Sequence, residues 1–345
     1  MPHLKSSADR SSTYVSQYLG DLLQVAQCVS GVEVSQLDEF CHILLHRPPD
    51  WVGELRKQSG LNWNESPLQF LISTRNKGST FRFIGDPAFY HSEPITRFEE
   101  SIAALQLTLD AGNATDLRDV CWRSLTSALP RDPEALRNYP YGMIWLALTL
   151  DHPGAAVYFL SVLDKSVAWR KAHRWVDTIL PHPDEAHRVI AALKPNCSLI
   201  FVGIEGQNVK AGRAKLYWRL SRPVTPSQFE ISMYDDPTIA RFLGTIMKDH
   251  PYSLYALTFS AGFSLTTGEL TDIKIDLSNR SANLSVVEAI DFVELQAETL
   301  GLQRPPTRNG FSVLFRNSVS IGYIGLGLDH QGHHRLNTYL YQTKS

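Results

Sequence analysis

Hydrophobic and polar positions in the first sixty residues follow a helical period. Tyr18, Leu19, Leu22, Leu23 and Val25 share one stripe, and Val34, Leu37, Phe40, Cys41, Leu44 and Leu45 share a second. Arg47-Pro48-Pro49 closes the second helix. Beyond that point the period becomes two. An apolar strand, a short turn and a second strand recur five times, pairing 68–74 with 80–84, 144–150 with 156–162, 198–205 with 214–220, 257–265 with 272–277, and 321–329 with 335–341. Four of the turns are short and carry Gly or Pro, and the third is a longer linker through Gly206 and Gly212. Helical segments at 98–109, 117–129, 167–180, 184–193, 237–248 and 286–300 lie between the hairpins.

Connections this short make neighbouring strands antiparallel, which counts against a TIM barrel or a Rossmann sheet. Ten strands in succession with helices outside can bury their edges by closing. The expected fold is therefore α+β: a closed, ten-stranded antiparallel β-barrel of five ββ(α)α units surrounded by helices. A helical extension over 1–62 would pack on a single barrel domain over 63–345. Two unrelated α+β domains dividing near Leu180 would require the five-fold regularity to be accidental.

The second strands have two distinct faces. Lys215, Tyr217 and Arg219 oppose Leu216, Trp218 and Leu220, while Arg335, Asn337, Tyr339 and Tyr341 oppose Leu336 and Leu340. An ordinary sheet with its polar face in water would give the same alternation. Surface strands, however, favour Thr, Glu and Lys, whereas here Arg, Lys and Tyr recur together on five helix-bearing units. If helices cover the apolar face, the Arg/Lys/Tyr face lines a lumen wide enough for a ligand.

Composition narrows the function. With 33 basic and 35 acidic residues, the net charge of −2 speaks against a nucleic-acid scaffold. The polar N-terminus has no signal-like apolar stretch, and no apolar run reaches membrane-spanning length. Cys28, Cys41, Cys121 and Cys197 lack CxxC spacing and read as reduced thiols. A cytoplasmic protein with no membrane or nucleic-acid partner is expected, and a monomer is the default for a closed barrel. Asp329-His330-Gln331-Gly332-His333-His334 reads as a hairpin tip rather than a metal site. Gly203-Ile-Glu-Gly206 has no following helix to make a dinucleotide site.

Converging Arg and Lys require an anionic partner such as a diphosphate. Tyrosines beside them offer hydroxyl donors and a π-rich wall that tolerates a carbocation. Together they suit ionisation of an allylic diphosphate and capture of the cation by a nucleophile.

Between 66 and 341 the chain resembles the ABBA prenyltransferases, a family that includes bacterial and fungal indole prenyltransferases and the cyanobactin peptide prenyltransferases. Ser66-Pro67-Leu68-Gln69-Phe70 followed by Phe81-Arg82-Phe83 resembles the family's opening hairpin, and Arg213-x-Lys215-x-Tyr217 resembles its diphosphate strand. The resemblance implies diphosphate binding by Arg82, Arg213, Lys215, Lys274 and Arg335. It implies a cation shield of Tyr158, Tyr217, Tyr339 and Tyr341, with Gln69, Tyr217 and Tyr339 as catalytic candidates. There are three departures. Gln69 stands where indole enzymes carry the glutamate that accepts the proton, and an amide cannot take that role. Glu65 and Asp86 flank the same hairpin as alternative bases. Ala156 and Tyr158 stand where Lys-x-Tyr is common. Asp272 and Asp276 flank Lys274 and could hold Mg²⁺ against the diphosphate, or pair with neighbouring cations instead.

The implied activity is transfer of a dimethylallyl or geranyl group to an aromatic or indole small molecule, or to a side chain of a cyanobactin-like ribosomal peptide. The competing expectation is a non-catalytic barrel that binds a prenyl phosphate or another apolar anion.

Overall fold

The computed structural model describes residues 7–46, 59–130, 132–139, 142–161, 164–221, 229–247, 257–303 and 318–343. The strands are β1 Leu68–Arg75, β2 Gly78–Gly85, β3 Ile144–Thr149, β4 Ala155–Leu160, β5 Cys197–Gly206, β6 Arg213–Leu220, β7 Leu257–Ser264, β8 Leu270–Ser278, β9 Val319–Asp329 and β10 His334–Gln342. Each pairs antiparallel with its neighbours in sequence, and β1 pairs with β10 to close the barrel. The seam sets Phe70 opposite Leu340 and Ser73 opposite Asn337.

Two helices, α1 Ser7–Ser30 and α2 Val34–Leu45, precede the barrel. The backbone N–H of Leu22 donates to Gln342 Oε1 at 3.0 Å, which ties α1 to the end of the seam. α2 ends at Leu45 with His46 in the left-handed region, while Arg47-Pro48-Pro49 lies outside the described residues. Between hairpins run α3 Pro94–Ala111, α4 Arg118–Ala128, α5 Pro133–Leu136, α6 Lys165–Ile179, α7 Asp184–Leu193, α8 Pro237–Met247, α9 Asn279–Ala282 and α10 Val286–Thr299. Their starts are encoded locally. Asp164 accepts from Val167 N before α6, and Ser285 with Glu288 forms a reciprocal capping box before α10. The expected strands and helices all occur, with ends shifted by a few residues; residues 162 and 248 fall outside the description.

Period two separates two cores. Phe70, Phe83, Phe159, Leu216, Trp218 and Ile275 point outward into the apolar layer shared with the helices, α1 and α2 included. Leu61, Leu71, Ile84, Tyr158, Tyr217 and Tyr339 form a second, separate cluster inside the barrel. The four cysteines are unpaired. Among the described residues no helix is long and apolar enough to cross a membrane.

Candidate active site

The inward side chains divide the lumen into two tiers. The lower is a cup of about 310 Å³ lined by Arg75, Arg82, Arg213, Lys215, Lys274 and Arg335, with Glu205 among them. The register makes room for these long side chains by placing small residues beside them. Lys215 lies opposite Gly203 and Gly262, and both Lys274 and Arg335 lie opposite Gly327. A Cβ at Gly327 would collide with the Arg335 guanidinium, and one at Gly262 with Asp272 Oδ1.

Two carboxylates organise the cup. Glu205 meets Arg82 at 2.8 Å, Arg213 at 3.3 Å and Lys215 at 3.6 Å. Asp272, fully buried behind the lining, meets Lys215 at 3.1 Å, Arg213 at 3.2 Å and Arg335 at 2.5 Å. Burial alone would raise both carboxyls, but the surrounding cations hold Glu205 well below the usual range and Asp272 lower still than its ordinary value. Burial also draws the Lys215 ammonium down to about 8, against the pull of Asp272 and Glu205. Six cations face Glu205, Asp272 and Asp276, so the cup keeps a positive excess.

The upper tier, about 120 Å³, is walled by Leu61, Ile84, Trp145, Tyr158, Phe201, Tyr217, Tyr323 and Tyr339. Phe201 stacks on Tyr217 with centroids 4.1 Å apart, and Tyr158 meets both rings edge-on. Burial pushes the Tyr158 hydroxyl up to about 12 and those of Tyr217 and Tyr339 well above the ordinary tyrosine value, so the wall stays neutral at physiological pH. Polar exceptions in this tier are Gln69, Arg219, Thr258 and Asp276.

Lys274 stands at the waist and lines both tiers. Its Nζ lies 5.6 Å from the Tyr217 ring centroid and 5.1 Å from that of Tyr339, and donates to the Tyr339 hydroxyl at 2.6 Å. The slot between these tyrosines therefore already holds a cation.

No protein-family model matches this sequence, and no curated protein matches it by sequence. Solved structures do match it in fold. The 5-dimethylallyltryptophan synthase from Streptomyces coelicolor superposes with a TM-score of 0.75, covering 95% of this chain and 97% of that one at 15% identity. The 6-dimethylallyltryptophan synthase from Micromonospora olivasterospora gives 0.74 over 94% and 96% at 17% identity. AnaPT from Neosartorya fischeri gives 0.71 over 99% and 95% at 14% identity. The fold is the prenyltransferase barrel. Both synthases have been solved with DMASPP and Trp bound.

Within this barrel, Arg82, Arg213, Lys215, Lys274 and Arg335 all line the cup. Tyr158, Tyr217 and Tyr339 border both tiers, whereas Tyr341 lines neither and lies against Gly322 at the strand end. Gln69 reaches the upper tier, but its amide Nε2 donates to Asn62 Oδ1 at 2.7 Å and to the Leu61 carbonyl at 3.4 Å. Asp86 is no lumenal base; it is buried in a two-pronged pair with Arg97 of α3. Glu65 lies before β1 with a left-handed φ of 67° and lines neither tier.

Asp272 and Asp276 do not fit a magnesium site. Asp272 is occupied by Lys215, Arg213 and Arg335, Asp276 pairs with Lys274, and no group of three metal-ligating side chains converges among the described residues. Asp272 is the carboxylate tied to the cations of the cup, and Asp276 faces the upper tier.

Sequence reasoning misses Glu205, Arg75, Trp145, Phe201 and Tyr323. Glu205 lies directly opposite Arg213 in the register, but a bulge between Leu199 and Phe201 breaks the alternation of β5 and hides its lumenal face.

Proposed function

We propose that the protein is a prenyltransferase that moves a dimethylallyl-sized group from its diphosphate to an electron-rich aromatic acceptor, an indole such as tryptophan being the leading class. The observation that carries this reading is the polarity of the lumen, a cationic cup beneath a ring of neutral tyrosines. Arg82, Arg213, Lys215 and Arg335 bind the diphosphate in place of part of their contacts with Glu205 and Asp272. As the allylic C–O bond breaks, its electron pair leaves on the diphosphate, whose growing charge these fixed donors stabilise. The slot now held by Lys274 Nζ, between Tyr217 and Tyr339, suits the allylic cation, and the tyrosine rings keep water from it. The aromatic acceptor stacks in the upper tier among Trp145, Phe201 and Tyr323 and attacks with its π electrons. The small-molecule and side-chain forms of the acceptor share this chemistry.

One observation favours a second reading. Gln69 occupies the opening-strand position with an amide committed to Asn62 and cannot act as a base. A carrier that binds a prenyl phosphate without turnover would want the same cup. Pyrophosphate release from dimethylallyl diphosphate, measured with and without L-tryptophan, separates the two. Acceptor-dependent release that falls by about a hundredfold or more in Lys215→Ala supports transfer. Tight binding without release supports the carrier.

A further inference from the structure

The transfer reaction releases one proton per turnover, and Gln69 cannot take it. Asp276 is the carboxylate among the described residues that line the upper tier. It projects from β8 two residues beyond Lys274 and is 6% exposed. One oxygen, Oδ2, pairs with Lys274 Nζ at 2.5 Å. The other, Oδ1, is buried and has no hydrogen-bond partner among the described residues. A buried acceptor left unsatisfied costs stability, more so when it is charged, so its retention calls for a reason. The neighbouring strand accommodates it. Gly325 lies directly across from Asp276, and a Cβ there would occupy the space that Oδ1 fills.

We propose that Asp276 is the base of the reaction, its Oδ1 receiving the proton that the aromatic acceptor gives up. The inference rests on the prenyl-transfer reading above. The allylic C–O bond breaks with its electron pair on the diphosphate, the ring's π electrons form the new carbon–carbon bond, and the displaced ring proton passes to Oδ1. Asp276 returns that proton to solvent as the product leaves.

Lys274 links this step to the prenyl donor. Its Nζ occupies the slot that the allylic group needs, and it borders the cup where the diphosphate would lie. Drawn toward the diphosphate, Lys274 vacates the slot and releases Oδ2 of Asp276, which opens the carboxylate to the acceptor. The donor therefore enters first. A carboxylate on β8 also compensates for the missing glutamate on β1, since both strands face the same chamber.

The test compares the full-length wild type with Asp276→Asn and with Asp276→Asn/Gln69→Glu. Dimethylallyl diphosphate and L-tryptophan, indole or 3-methylindole are the substrates, and dimethylallyl thiolodiphosphate is the binding probe. Asp276→Asn is expected to lose about a hundredfold or more in acceptor-dependent turnover while binding the thiolodiphosphate within about threefold of wild type. The double variant should recover part of the rate. A wild-type rate in Asp276→Asn overturns the inference. Should that variant fail to bind the probe, Asp276→Glu decides, because a variant that keeps the carboxylate and binds the probe but regains no more turnover than Asp276→Asn overturns it equally. A wild type that transfers to none of the three acceptors sinks the prenyl-transfer reading itself, and this assignment falls with it.

Discussion

Lys215 is 2% exposed and held between Asp272 and Glu205, with an ammonium that burial draws down to about 8. A bound diphosphate favours the charged form and raises that value, so above about pH 8 binding must take up a proton. Affinity should then fall with rising pH by up to about tenfold per unit. Below about pH 8 Lys215 is charged in both states and contributes no slope. Titration calorimetry with dimethylallyl thiolodiphosphate should show this limb in the wild type and lose it in Lys215→Arg, whose guanidinium stays charged. A limb unchanged in Lys215→Arg would assign the titration to another group. Lys215 was readable from sequence because Leu216 and Trp218 fix the opposite face of its strand. Its counter-ions were less so. Asp272 was visible as an acidic residue near the cations, but its burial behind them depends on cross-strand register, and Glu205 was concealed by a bulge.

At the scale of elements, the hairpins could be read from turns and alternation, since each has two strands of strand length joined by a recognisable connection. Strand ends were less legible because backbone pairing continues past the apolar run, as in β8, which begins at Leu270 rather than Asp272. The single turns α5 and α9 carry too few residues for a period to show. The lumenal glycines of β7 and β9 were opaque for another reason: they have no side chain of their own and are explained by a partner's. Gly262 faces Asp272, Gly325 faces Asp276 and Gly327 faces Arg335. Gly262→Ala puts a methyl group against Asp272 Oδ1 and should displace it from Lys215 and Arg213. We expect a loss of about 1–3 kcal/mol in stability and weaker diphosphate binding, read by chemical denaturation and calorimetry. Unchanged values in both would mean that Asp272 can move freely, contrary to its burial.

At the scale of the molecule, closure converts ten two-faced strands into an inside and an outside. The apolar face goes to the helices and the Arg/Lys/Tyr face to the lumen, and β1 pairing with β10 leaves no edge. That logic was accessible from sequence because the hairpin count and the residue types on the second face agreed. The vertical order of the lumen was not, since it depends on the stagger of strands around the barrel. Charge at the bottom and aromatic rings above make it a chamber where a diphosphate can leave in one direction while an acceptor approaches from the other. The central claim is this polarity, and a crystal structure with dimethylallyl thiolodiphosphate tests it most directly. The diphosphate should lie in the cup within hydrogen-bond distance of Arg82, Arg213, Lys215 and Arg335. The allylic chain should rise between Tyr158, Tyr217 and Tyr339, with Lys274 Nζ withdrawn from that slot. A diphosphate bound in the upper tier or outside the barrel, with the pairs of Asp272 intact, would contradict the account.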